Sequence, residues 1–199
     1  MTNEGFKSFG KIARLHRDIV ITEKIDGTNA QVYIAPEPFS SDKSYVAKWY
    51  DETTQTIMVM YAGSRTRWIT PSNDNFGFAA WVQQNAEELR GLGEGRHFGE
   101  WWGGSIQRGY GEIRKHFSLF NTTRWFDYRP ECCDVVPILY QGEFTMDAVE
   151  GALSTLREIG SMAAPGYMKP EGIIVYHIAA NMYFKRTLEG DDAPKSKGG

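Results

Sequence analysis

Lys24 lies in Glu23-Lys24-Ile25-Asp26-Gly27-Thr28-Asn29, between two β-branched runs. A lysine at a strand end, followed by a carboxylate and a glycine turn, is a good arrangement for a nucleophile. The strand fixes the side-chain stem, and the glycine lets the backbone come close to a phosphate or sugar. An ordinary lysine, with a pKa of ~10.4, is protonated at neutral pH. Attack on phosphorus therefore needs neighbouring cations, a metal or desolvation to favour the free amine. Asp26 alone acts in the opposite sense. The stretch fits equally well a solvated lysine in a hairpin, so chemistry at Lys24 requires partners from elsewhere in the chain.

Candidate partners follow in order. Ala62-Gly63-Ser64-Arg65-Thr66-Arg67 puts two arginines after a strand, where a guanidinium could grip phosphate or ribose oxygens. Phe98-Gly99-Glu100-Trp101-Trp102-Gly103-Gly104 sets a carboxylate among aromatics before a Gly-rich loop. Glu100 could hold a ribose hydroxyl or simply face water. Lys169-Pro170-Glu171-Gly172 leads into the apolar Ile173-Ile174-Val175, and a carboxylate there suits Mg²⁺ or the orientation of an amine. Tyr183-Phe184-Lys185-Arg186-Thr187 alternates, so Tyr183 and Lys185 share one face and Phe184 and Arg186 the other.

The elements that must position these groups are mostly strands. Asp18-Ile19-Val20-Ile21-Thr22 and Ala30-Gln31-Val32-Tyr33-Ile34 flank Lys24, and the Asp-Gly between them is a turn signal. Further strands are expected at 45–49, 56–62, 97–101, 117–120, 138–140, 172–178 and 182–186. One helix should start after Ser72-Asn73-Asp74 and run to about Leu89, with Phe78, Trp81, Val82, Ala86 and Leu89 on its apolar face. A second should run from about Thr145 to Ile159, burying Val149, Leu153, Leu156 and Ile159, with Gly160 as its cap. Pro36-Glu37-Pro38-Phe39-Ser40-Ser41-Asp42 reads as a loop, and the polar, Gly-rich stretch from Glu189 to Gly199 as a disordered tail. Strands outnumber helices without alternating with them, so the fold class is α+β, with antiparallel sheets and flanking helices.

Bulk properties narrow the choice of function. At 199 residues the chain is long enough for one domain with a real core. A net charge of −3 argues against coating nucleic acid by overall electrostatics but leaves room for a local basic groove. The two cysteines, Cys132 and Cys133, are adjacent, which suits neither a disulfide nor zinc and leaves two reduced thiols. No apolar run approaches the roughly 18 residues of a membrane span. The first residues show no secretory pattern, so a cytoplasmic location and no membrane partner are expected.

Taken together and in order, these stretches resemble the covalent nucleotidyltransferase superfamily of DNA ligases, RNA ligases and mRNA capping enzymes. Lys24-Ile25-Asp26-Gly27-Thr28-Asn29 looks like its nucleophile motif, K-x-(D/H)-G-x-(N/R), and Ser64-Arg65 like the second motif. Phe98-Gly99-Glu100-Trp101 is similar to the third, Phe120 to the aromatic that stacks on adenine, Glu171-Gly172-Ile173-Ile174-Val175 to the fourth and Phe184-Lys185-Arg186-Thr187 to the fifth. Asn29 and the run Ile106-Gln107-Arg108-Gly109-Tyr110-Gly111 resemble nick-sealing RNA ligases of phages and bacteria.

The resemblance implies an adenylation domain over 1–188, a tail over 189–199 and no separate C-terminal nucleic-acid-binding domain. It implies ATP as AMP donor with Mg²⁺ or Mn²⁺, and a covalent lysyl-AMP on Lys24. Lys185 and Glu171 would be the other catalytic residues, with Glu171 the metal ligand. Glu23, Asp26, Gly27, Asn29, Arg65, Glu100, Phe120 and Lys185 would bind the nucleotide. The partner would be RNA, or RNA-containing nucleic acid, with 5′-phosphate and 3′-hydroxyl ends. The chain would act as a minimal ligase or beside a partner protein that clamps nucleic acid. A DNA ligase-like nick sealer, or a binding module that keeps the fold without turnover, are the alternatives. One position departs from the family: the fifth motif usually reads K-x-K, and Thr187 stands at the second lysine, so that cation is missing or Arg186 replaces it.

Overall fold

The computed structural model describes residues 8–38 and 44–189. Two antiparallel sheets share the chain. The four-stranded sheet has the order β11-β10-β1-β9, formed by β1 (Asp18–Lys24), β9 (Ile138–Glu143), β10 (Gly172–His177) and β11 (Met182–Thr187). The seven-stranded sheet runs β3-β4-β2-β6-β7-β8, with β5 paired to β4. It comprises β2 (Thr28–Pro36), β3 (Ala47–Asp51), β4 (Thr56–Ser64), β5 (Trp68–Ile69), β6 (Gly95–Gly103), β7 (Lys115–Leu119) and β8 (Asp134–Val135). Among the described residues only β7 and β8 pair in parallel. The α+β class expected from the sequence is the observed one.

Each sheet buries one face under helices. Ala30, Val32 and Ile34 of β2 alternate inward with Trp101 of β6 and Phe117 of β7, and pack on Phe78, Ala79 and Val82 of α1 (Phe78–Gln84) and Leu89 of α2 (Ala86–Leu89). In the smaller sheet Ile19 and Ile21 of β1 and Ile173 and Val175 of β10 meet Val149, Ala152, Leu153 and Leu156 of α4 (Met146–Ile159). Leu153 and Leu156 are fully buried; truncating such a side chain to alanine costs about 2–5 kcal/mol. A third apolar cluster of Ile25, Trp102, Tyr110, Val136 and Ala164 lies where the chain passes between the sheets.

The expected first helix is broken. Asn85 interrupts it, its side-chain amide donating to the Trp81 carbonyl, and α2 restarts beyond. Asp74 does serve its N-terminus, accepting from the amides of Ala79 and Ala80, but helical residues begin only at Phe78. Ile159 is 53% exposed, so the buried stripe of α4 ends at Leu156. Gly160 caps the helix at φ 82°, as its type suggests. The two-residue strands β5 and β8 and the single turn α3 (Thr122–Trp125) are too short to leave a period in sequence. Pro36 extends β2, residues 39–42 of the expected loop lie outside the described residues, and so does the tail beyond Glu189. Among the described residues no helix is long and apolar enough to cross a membrane.

Candidate active site

Lys24 is the last residue of β1 and sits opposite Gly172 of β10, which in turn sits opposite Thr187 of β11. Opposed residues on antiparallel strands share a face. One face therefore carries Lys24 and Thr187 in one row and Thr22, Ile174 and Lys185 in the next. The other face carries Ile173 and Arg186, and there the Arg186 guanidinium bonds Glu150 of α4.

The Lys24 Nζ donates to Glu171 Oε2 at 2.5 Å, and the two side chains keep 23% and 16% of their exposure. The chain then crosses to the larger sheet through Ile25-Asp26-Gly27. A side chain at residue 27 would lie 2.5 Å from the Trp101 carbonyl oxygen and 2.8 Å from the Trp102 Cβ, so only glycine permits this crossing. The Gly27 amide donates to Glu100 Oε1 at 3.1 Å, and Asn29 is opposite Glu100 in the ladder. Burial pushes the Glu100 carboxyl up to about 7; the negative fields of Glu171 and Asp26 act the same way, while Lys24 and the Gly27 amide oppose them. The end of β1 thus places an amine, its carboxylate partner and a second, desolvated carboxylate from the other sheet around one point.

The surrounding groups fix this geometry. Glu23 is 1% exposed and accepts from the Ser161 hydroxyl at 2.6 Å and from the amides of Met162 and Ala163 at 2.7 and 3.0 Å. The Asp26 amide donates to the Tyr110 hydroxyl, while the Asp26 carboxylate accepts from Arg108 Nε at 2.9 Å. Arg108 also donates to both carboxylate oxygens of Glu189 and to the Lys169 carbonyl. The Glu189 hydrogen bond raises the Arg108 pKa above its ordinary value and keeps the guanidinium charged. Tyr110 takes a left-handed backbone (φ 55°), uncommon for a bulky residue, and its ring is buried against Trp102 and Tyr167. Burial also raises the Tyr110 phenol pKa, so it stays a neutral hydroxyl.

A sequence profile described as RNA ligase matches residues 17–188. The chain belongs to the RNA ligase family. No curated protein sequence matches this RNA-ligase-family chain. Solved structures of the Naegleria gruberi RNA ligase are similar in fold. A point mutant with ATP and Mn aligns over 87% of this chain and 50% of that one, at 18% identity and a TM-score of 0.56. Another point mutant, with AMP and Mn, aligns over 88% and 51%, again at 18% identity and a TM-score of 0.56. The chain spans about half the length of these structures, and at this identity the likeness is one of fold.

Of the residues singled out in sequence, Lys24, Asp26, Gly27, Glu100 and Glu171 converge directly, and Asn29 joins them by register. Lys185 is on the Lys24 face, one row away and exposed. Phe120 follows β7 and packs against the cluster that contains Ile25. Arg65 is exposed in the turn after β4 and makes no hydrogen bond or ion pair with the described residues. The Glu23 side chain is committed to Ser161, Met162 and Ala163, an anchoring contact rather than an open one. Arg186 lies on the other face and bonds Glu150 of α4, while Thr187 shares the row of Lys24. Reading the sequence alone left Arg108, Tyr110 and Ser161 without roles. The glycines around Arg108 and Tyr110 were the available signal, since Gly103, Gly104, Gly109 and Gly111 all take positive φ to fold that loop back.

Proposed function

We propose that this chain is the adenylation unit of an ATP-dependent RNA ligase, with Lys24 as the nucleophile. The observation that carries the reading is the Lys24–Glu171 pair at the junction of the sheets, with Glu100 entering from the opposite side. Membership of the RNA ligase family supports it, as does the fold likeness to a ligase solved with ATP and Mn.

In the first step Lys24 Nζ attacks the α-phosphorus of ATP. An N–P bond forms, the P–O bond to pyrophosphate breaks, and Glu171 holds the amine and takes the proton it sheds. Lys185 faces the same space and neutralises phosphate charge, the largest need in phosphoryl transfer. Glu100, with Arg65 and Asn29, holds the ribose side; Asp26 and Gly27 shape the turn beneath it, and Phe120 stacks on adenine. Glu23 acts by anchoring the strand that carries Lys24. In the second step an oxygen of a 5′-phosphate end attacks the lysyl-AMP, the N–P bond breaks and AMP moves to that end. In the third a 3′-hydroxyl attacks the activated end, AMP leaves and the phosphodiester forms.

Among the described residues no group of three or more His, Cys, Asp or Glu is gathered for a metal. Glu171, which enters the Lys24 face as a carboxylate, would hold a divalent ion that completes its shell with nucleotide phosphate and water, as Mg²⁺ commonly does. Bound there, Mg²⁺ or Mn²⁺ would polarise the phosphoryl oxygens.

Joining assays test the reading. A 5′-phosphate nick with RNA on the 3′-hydroxyl side should be sealed faster than an all-DNA nick. Equal rates would favour a DNA ligase-like nick sealer. ATP binding without joining or adenylation would leave a nucleotide-binding module, which Thr187 in place of a lysine would suit.

A further inference from the structure

The face of the seven-stranded sheet turned away from α1 and α2 continues past the nucleotide site. Along β2 that face presents Asn29, Gln31 and Tyr33, and the register sets Glu100, Phe98 and Arg96 of β6 opposite them. On the other side of β2, Gly63 and Tyr61 of β4 face Gln31 and Tyr33, and Trp68 of β5 pairs with Gly63. Gly63 leaves room for the Gln31 side chain, which a Cβ there would meet at 2.7 Å. The rings of Tyr33 and Trp68 are stacked at 5.8 Å, Tyr61 packs on Trp68 at 5.3 Å, and Tyr45 closes the margin edge-on.

Arg96 caps this group. Its guanidinium lies 4.1 Å from the Tyr33 ring centroid and 5.3 Å from that of Trp68, and donates to Gln31 Oε1. The residue is exposed, and Phe98 beside it is 45% exposed. Glu100 is the only carboxylate among the residues that β2, β4, β5 and β6 turn to this face. It belongs to the Lys24 end. From Asn29 to Tyr33 is ~13 Å along the strand, about two nucleotides of an extended polynucleotide.

We infer that Tyr33, Trp68, Arg96 and Phe98 form a stacking platform for the bases of the polynucleotide strand whose end is joined at Lys24. This inference rests on the ligase reading and extends it to a substrate contact. Aromatic faces and a guanidinium plane accept any base by stacking, and an exposed cation with few acids nearby suits the phosphate backbone. The platform is continuous with the Glu100–Asn29 row, so a strand lying on it leads to the junction of the sheets. Core packing explains Tyr61, which is buried, but not an exposed arginine set over two rings.

The test is fluorescence anisotropy of a 3′-labelled, 5′-phosphorylated oligouridylate of about a dozen nucleotides, within single-stranded site sizes. Adenylation of each variant by ATP is measured in parallel. Trp68→Ala and Arg96→Glu should each weaken RNA binding by roughly 5-fold or more, the loss of one base stack. Trp68→Phe should keep most of the affinity, and all three variants should adenylate at the wild-type rate. Arg96 is exposed, so its variant serves where Trp68→Ala unfolds. Unchanged RNA affinity in adenylation-competent Arg96→Glu overturns the platform, as does wild-type protein that adenylates but binds no oligonucleotide. A change in self-association with RNA affinity intact also overturns it, in favour of a second copy as occupant. Failure of the wild type to adenylate would instead strike the ligase reading.

Discussion

The four-stranded and seven-stranded sheets both bury one face under helices, yet their opposite faces differ in chemistry. The smaller sheet presents ionic groups: Lys24 paired with Glu171, and Lys185 one row away. The larger presents a carboxyl raised by burial, then amides and aromatic rings capped by Arg96. Substitution at phosphorus needs a nucleophile and a cation held in place and a carboxylate to take the proton, which the first face offers. Recognition of a sugar and bases needs hydrogen-bonding and stacking groups that a strand can reach, which the second offers. The loop after Lys24 spans the two because Gly27 lets the backbone press against β6. The difference separates carboxylates that a sequence reading treats alike: Glu171 touches the amine, Glu100 the crossing loop, and Glu23 only an anchoring loop.

Substitutions can break or sharpen this contrast. Glu171→Ala should have the largest effect, slowing adenylation by roughly 100-fold, as expected when a reacting group loses its orientation. Thermal unfolding of this variant should stay close to wild type; a rate near wild type would remove Glu171 from the reacting face. Glu23→Ala should act oppositely. It strands a buried hydroxyl and two amides, costing about 1–3 kcal/mol or more in denaturant unfolding, while the folded fraction still adenylates.

Glu100 carries the pH dependence. Its folded pKa of about 7 lies above the ordinary 4.5. Between those values the folded protein holds a proton that the unfolded chain has released, so the Glu100 contribution to stability is present below pH 4.5 and lost as pH rises through 7. ATP affinity should move the other way, improving as the carboxylate ionises and can accept from ribose. Glu100→Gln should erase both trends near pH 7, and their persistence in the variant would assign them to another group. The smallest effect belongs to Arg186→Ala. Its pair with Glu150 is partly exposed, 35% and 51%, so unfolding should change by about 1 kcal/mol or less with adenylation unaltered. Slowed adenylation there would mean that Arg186 reaches the phosphate after all.

Much of this arrangement was legible in sequence because it repeats with a strand or helix period. β1, β2, β10 and α4 each have an alternating or helical apolar stripe long enough to read, and the order of motifs along the chain named the converging residues. Alternation in Tyr183-Phe184-Lys185-Arg186-Thr187 even separated Lys185 from Arg186, as the register does. What escaped was set by contacts distant in sequence. Asn85 breaks the first helix by bonding Trp81, and Ile159, the last residue of α4, is exposed although it lies nearly in line with the buried Ala152. Arg108 meets Asp26 across 82 positions, and Glu23 meets Ser161 across 138. No local period encodes such pairs. The aromatic group around Arg96 was equally hidden, since its members come from different strands and meet only through register.

The central claim is that Lys24 accepts AMP, and peptide mapping by mass spectrometry tests it most directly. After incubation with ATP and Mg²⁺, the peptide containing Lys24 should gain the mass of one adenylyl group, and Lys24→Ala should gain none anywhere. AMP on another lysine, Lys185 included, or a wild-type protein that stays unmodified, would contradict the account.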